Sequence, residues 1–197
     1  MGTVGLRSAS TAIILVMLAQ AAEAHVGPGA GSGFWSGILH PITGWDHVVA
    51  MVAVGLWGAF LERPAIWILP VLFPLVMALG GAMGVMGVPL PHVETGIALS
   101  AVVLGLMVAT AARLPLTWAS LVVGVFAVFH GHAHGTELPA SANPFAFALG
   151  FVVATGCLHI LGILFGSLTR WKLGKFAVQT SGAVIALAGM AFLTGWL

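Results

Sequence analysis

The sequence predicts an all-α, polytopic membrane helical bundle of about six transmembrane helices, and three observations predict it. Of 197 residues, 60% are hydrophobic and only 6% are charged, against roughly a quarter charged in a water-soluble domain. A water-facing surface cannot be built from so few charges. The apolar residues run in continuous blocks of about 20, the length that crosses a hydrocarbon layer about 30 Å thick. Those blocks lack the apolar/polar alternation of a transmembrane strand, which sets a β-barrel aside.

The first element, residues 1–24, reads as a cleavable signal peptide: Arg7, an apolar stretch from Thr11 to Ala19, then Ala22-Glu23-Ala24 as a small-x-small cleavage site. An uncleaved anchor is the alternative, since its apolar run is merely short for a span. Cleavage makes His25 the mature N-terminus, and residues 25–197 form one transmembrane domain. Six spans follow, at 38–60, 66–84, 93–112, 115–134, 144–166 and 174–196. An exported N-terminus places Arg63, Arg113 and the trio Arg170, Lys172 and Lys175 in cytoplasmic connections. That satisfies the positive-inside rule in a bacterial inner membrane, with both mature termini periplasmic. Pro70 and Pro74 predict a kink or break in the second span. Glycines such as Gly80, Gly84, Gly182 and Gly189 read as close helix contacts.

Ligand chemistry is narrowed by the single cysteine, Cys157, which leaves no disulfide and no multi-cysteine metal site within one chain. A net charge of +1 and the lack of any Lys/Arg tract exclude a nucleic-acid partner. Of the eight histidines, all but His159 fall on the periplasmic side, as do Asp46, Glu94 and Glu137. An ionisable group at the bilayer centre costs about 2.5–3.5 kcal/mol on insertion scales, so each needs a partner or a purpose, and a metal ion supplies both.

The strongest grouping is His40-Pro41-Ile42-Thr43-Gly44-Trp45-Asp46-His47. A helix beginning near Pro41 puts His40 and His47 two turns apart on nearly one face, with Asp46 beside them to ligate or orient. The same Asp46 also fits a helix cap, and Trp45 an interfacial belt. The second grouping is His130-Gly131-His132-Ala133-His134-Gly135-Thr136-Glu137, where His130 and His134 share a face and His132 does not. His92 and Glu94 open the third span and are weak alone. His25, once freed, offers an α-amine and an imidazole to one ion, or is a plain cleavage boundary. Cys157 and His159, the latter in the outer to middle part of the fifth span, read as packing, with a second metal position as the alternative.

At these residues the chain resembles the HupE/UreJ family of nickel and cobalt permeases. The resemblance rests on the signal peptide ending before His25-Val26-Gly27, on His40-Pro41 through Gly44-Trp45-Asp46-His47, and on Phe129-His130-Gly131-His132-Ala133-His134-Gly135 with Glu137, and it covers essentially the whole chain. It implies a six-span secondary permease admitting nickel(II), or cobalt(II), for a hydrogenase or urease, with His40, Asp46, His47, His130, His134 and Glu137 needed for uptake. The metal is then cargo, and no prosthetic group is expected. No GxxxxGK[ST] motif occurs, so no ATPase subunit is implied. A membrane metalloenzyme is the rival, disfavoured by the lack of HExxH or paired ExxH signatures. A metal sensor or assembly factor is a second, disfavoured by the short loops.

Overall fold

The computed structural model describes residues 33–138 and 143–196, and these are helical with no strand among them. In chain order the helices are α1 (Phe34–Thr43), α2 (Trp45–Leu61), α3 (Ala65–Val85), α4 (Val93–Ala109), α5 (Leu116–Thr136), α6 (Pro144–Gly166) and α7 (Lys172–Thr194). A 3-10 turn, Ser167–Arg170, joins α6 to α7. The proposed leader and His25 lie outside the described residues.

Helices α3, α5, α6 and α7 are each long and apolar enough to cross a membrane, and the pair α1 and α2 makes a fifth crossing if counted as one bent span. Helix α4, at 17 residues, rises about 25 Å, slightly less than the hydrocarbon thickness. The chain is thus a multi-pass membrane protein in which a count of six is approximate. Boundaries from Ala65 onward fall within a few residues of the expected ones.

The first span departs from expectation. It was expected as one helix over 38–60 beginning near Pro41, but it breaks at Gly44 into two helices bent by 86°. Pro41 sits in the last turn of α1, not the first turn of a span. Gly44 takes an extended conformation and serves at once as C-cap of α1 and N-cap of α2. Helix α1 therefore lies across the end of the bundle, with Trp35, Leu39 and Ile42 exposed, as an interfacial helix presents its apolar face to lipid. Conversely, α3 is not broken: one helix runs through both Pro70 and Pro74.

Helix α3 packs along α5, α4 along α7, and α2 along α6, while α1 rests on the first turns of α6. Small residues permit this closeness. A Cβ on Gly131 would meet the carbonyl of Met77, and one on Gly135 the carbonyl of Gly81. This glycine face of α5 lies against α3, so His130 and His134, one position before each glycine, turn to a different side.

The core is apolar and centred on α2: Met51, Val54, Leu56 and Trp57 are fully buried, against Leu69 and Phe73 of α3, Leu104 of α4 and Val123 of α5. Successive helices alternate in direction, which collects the polar residues into two unlike ends. At one end Arg63, Arg113, Arg170 and Lys175 line a cavity of about 770 Å³ with Glu62 and Trp67. At the other end the histidines gather.

Candidate metal-binding site

The break at Gly44 is what assembles the histidine end. It presents both His40 from α1 and His47 from α2 to His134 on α5. The ring centroids lie 4.9 Å (His40 to His134) and 4.3 Å (His47 to His134) apart. One turn below His134, His130 contacts His47 at 4.8 Å. The expected common face for His40 and His47 on one helix is therefore replaced by a meeting across a bend. His40, His47 and His134, with Asp46, Glu94 and Glu137, line an open cavity of about 250 Å³.

Donor atoms are pre-placed at metal-ligand spacing. His40 Nε2 lies 3.0 Å from Glu137 Oε2, and His134 Nδ1 lies 3.8 Å from the same oxygen. Ligands around a six-coordinate ion at about 2.1 Å are about 3.0–4.2 Å apart, so both separations fit one ion. His40, His134 and Glu137 each offer one atom, all within 4.8 Å of one another. Glu137 caps the C-terminus of α5 just outside the span and is about half exposed. The hydrogen bond from His40 holds its carboxyl below the usual carboxylate value, which keeps it anionic at the cavity mouth.

Asp46 is placed to orient His47. Its Oδ1 accepts both the backbone N–H of His47 at 2.9 Å and the ring Nδ1–H at 2.8 Å. Fixing the proton on Nδ1 leaves Nε2 with its lone pair, and that nitrogen is buried without a hydrogen-bond partner. A carboxylate behind a histidine in this way sets the tautomer of a ligating imidazole. Gly44 is part of the arrangement, since a Cβ there would stand 3.0 Å from Asp46 Oδ1 and 3.1 Å from His47 Nδ1.

A comparable device positions His130, from a residue that sequence reasoning missed. Ser100 Oγ of α4 gives its single proton to the carbonyl of Ile97 at 2.6 Å, so the 2.8 Å contact to His130 Nε2 requires the imidazole to donate. His130 Nδ1 is then the free acceptor, buried and unpartnered. The only signal for Ser100 was a hydroxyl in an otherwise apolar run. Both nitrogens of His134 are likewise buried and unpartnered. Unsatisfied buried nitrogens are expensive, and those of His47, His130 and His134 come together here from two helices, α2 and α5.

The chain matches the HupE / UreJ protein family model over residues 13–192. It belongs to the HupE/UreJ family. It is also 46% identical to Protein HupE of Rhizobium leguminosarum bv. viciae over 186 residues, which cover 94% of this chain and 97% of that protein. No solved structure matches it.

Within this HupE/UreJ chain the remaining candidates separate. Glu94 is exposed and lines the rim of the cavity. His92 is exposed in a left-handed conformation at the N-cap of α4 and is not among the residues lining the cavity. His132 points away, its Nε2 donating to the Val88 carbonyl at 2.8 Å, which ties α5 to the loop after α3. Phe73, also missed, lies between His130 and His159, with centroids 5.5 and 5.6 Å away. His159 itself sits seven residues from the end of α6, about 10 Å from the basic end, deeper than expected.

Proposed function

We propose that this chain is a secondary permease that admits nickel(II), or cobalt(II), across the bacterial inner membrane to supply a hydrogenase or urease. One observation carries the reading: the imidazoles of His40, His47 and His134 and the carboxylate of Glu137, with Asp46 fixing the His47 tautomer, line a cavity at the end of the bundle opposite Arg63, Arg113, Arg170 and Lys175, and His130, held by Ser100, stands behind His47. The nitrogen-and-carboxylate donor set suits nickel and cobalt, with geometry rather than raw affinity giving selectivity. By the positive-inside rule the basic end is cytoplasmic, so the histidine cavity opens to the periplasm. Residues 1–24 then serve as the export signal, and the freed His25 as an additional capture ligand.

Capture proceeds in two stages. Glu137 and Glu94 at the rim attract the hydrated ion. His40, His134 and Glu137 replace part of its water, and His47 and His130 take it inward. An inside-negative potential favours a divalent cation by about 4.6 kcal/mol per 100 mV, twice the single-charge value, so movement inward needs no further energy source. The test is radioactive nickel uptake into nickel-depleted cells expressing wild type, Asp46→Asn or His47→Ala at equal membrane levels. Accumulation by wild type alone is expected. No uptake of nickel or cobalt above empty vector by wild type overturns the reading.

A further inference from the structure

Beneath the outer cluster a second polar group lies fully inside the bundle. Thr155 and His159 of α6 are 0% and 1% exposed and, four residues apart, share one helix face. Among the described residues, Thr155 Oγ1, His159 Nδ1 and His159 Nε2 are buried with no hydrogen-bond partner. The other buried hydroxyl, Ser100, behaves differently and bonds a carbonyl of its own helix, as do Thr110, Ser181 and Thr194. Apart from His132 Nδ1, the remaining unpartnered buried atoms all belong to the outer cluster. Thr155 and His159 therefore carry the same signature as the residues proposed to capture the ion. An unpaired imidazole within a membrane span is costly to keep, and simple packing does not explain it.

A further donor stands beside His159. Pro74 has no N–H, so the carbonyl of Pro70, one turn before it in α3, lacks its helical partner. That carbonyl faces the His159 ring without completing a hydrogen bond to it. Phe73, between the two prolines, separates His159 from His130. The opposite face of α6 carries the exposed Cys157, so the donors available here are imidazole nitrogen and neutral oxygen.

We propose that Thr155 and His159, with the Pro70 carbonyl, form a second, inner station for a partly hydrated divalent transition-metal ion, between the outer cluster and the basic cavity. The station rests on the permease reading only for the direction of movement; the site itself stands on its donors. A set of nitrogen and neutral oxygen, without carboxylate, holds the ion less firmly than the outer cluster and so passes it on.

The experiment measures nickel(II) stoichiometry by equilibrium dialysis of the full chain in lipid nanodiscs, beside nickel uptake by the same protein in proteoliposomes. Wild type is expected to bind two ions. His47→Ala removes the outer ion, and His159→Leu removes the inner one while sparing the outer. Thr155→Val, nearly isosteric and chosen in case His159→Leu does not fold, weakens the inner ion about ten-fold. A single bound ion in wild type, unchanged by His159→Leu or Thr155→Val, overturns the station and leaves the permease reading intact. Two bound ions with no wild-type uptake overturns the permease reading and leaves the station standing.

Discussion

The two ends of the bundle are built from the same kind of helix yet carry opposite chemistry. The histidine end has a cavity of about 250 Å³ walled by imidazoles and carboxylates from α1, α2, α4 and α5. The basic end has a cavity of about 770 Å³ walled by arginine and lysine, where one acid, Glu62, lies 3.7 Å from Arg113. At the first, His47, His130 and His134 are buried, and Asp46 and Ser100 orient two of them, with Glu94 and Glu137 exposed at the rim. At the second the polar groups are long, exposed side chains, as the 71% and 73% exposure of the Arg113–Glu62 pair shows. The contrast separates a site from an anchor: buried, tautomer-fixed donors bind, whereas exposed cations at a membrane end chiefly set orientation.

The contrast breaks most severely at His134, which touches His40, His47 and Glu137. His134→Ala is expected to lower nickel uptake to the empty-vector level at unchanged membrane abundance; retained uptake removes the cluster from the pathway. Asp46→Asn leaves the ligands in place but releases the His47 tautomer, so a loss of about 10–100-fold in nickel affinity is expected by equilibrium dialysis. Gly44→Ala should cost less than about ten-fold, because its Cβ crowds the Asp46–His47 pair without removing a donor, and an unaltered affinity would show that the hinge tolerates the methyl group.

Acidification should divide the two ends as well. Protons compete with metal for imidazole nitrogen, whereas arginine and lysine stay charged throughout the physiological range. Nickel binding is thus expected to fall as pH drops from about 7.5 to about 5.5, spanning the ordinary imidazole range. Glu137, held below the usual carboxylate value, stays ionised there and does not contribute to the fall. Binding that is flat across this interval shows that no group taking up a proton there is a ligand. The smallest effect belongs to the basic end: Arg113→Gln should change thermal stability by no more than about 1 kcal/mol and nickel affinity not at all. A large loss of affinity would make that cavity part of the site.

Much of the fold was legible because membrane helices announce themselves by uninterrupted apolar length, a local property. The expected spans 66–84 and 144–166 correspond to Ala65–Val85 and Pro144–Gly166. The first span was misread for an instructive reason. Proline is the familiar signal for a broken membrane helix, yet α3 carries two and stays continuous, packed against the glycine face of α5. The real break falls at Gly44, a residue type that elsewhere in this chain marks close packing. Whether a glycine becomes a hinge or a contact depends on what lies opposite it.

The site divides the same way. Residue types and spacing were enough to mark His40, Asp46, His47, His130, His134 and Glu137 as metal-binding candidates, because ionisable side chains in an apolar chain are too costly to be incidental. The sequence by itself also determined the membrane-spanning class and the segregation of arginine and lysine from the histidines, since both follow from how an apolar chain partitions between lipid and water. Tertiary structure alone decided that His40 and His47 both reach His134 across a bend, that Asp46 and Ser100 hold the histidines beside them, that His132 turns away, and that His159 lies beside a carbonyl freed by Pro74. Those facts depend on which helix faces which, and partners on different helices, such as Ser100 and His130, leave no periodicity for a sequence to display.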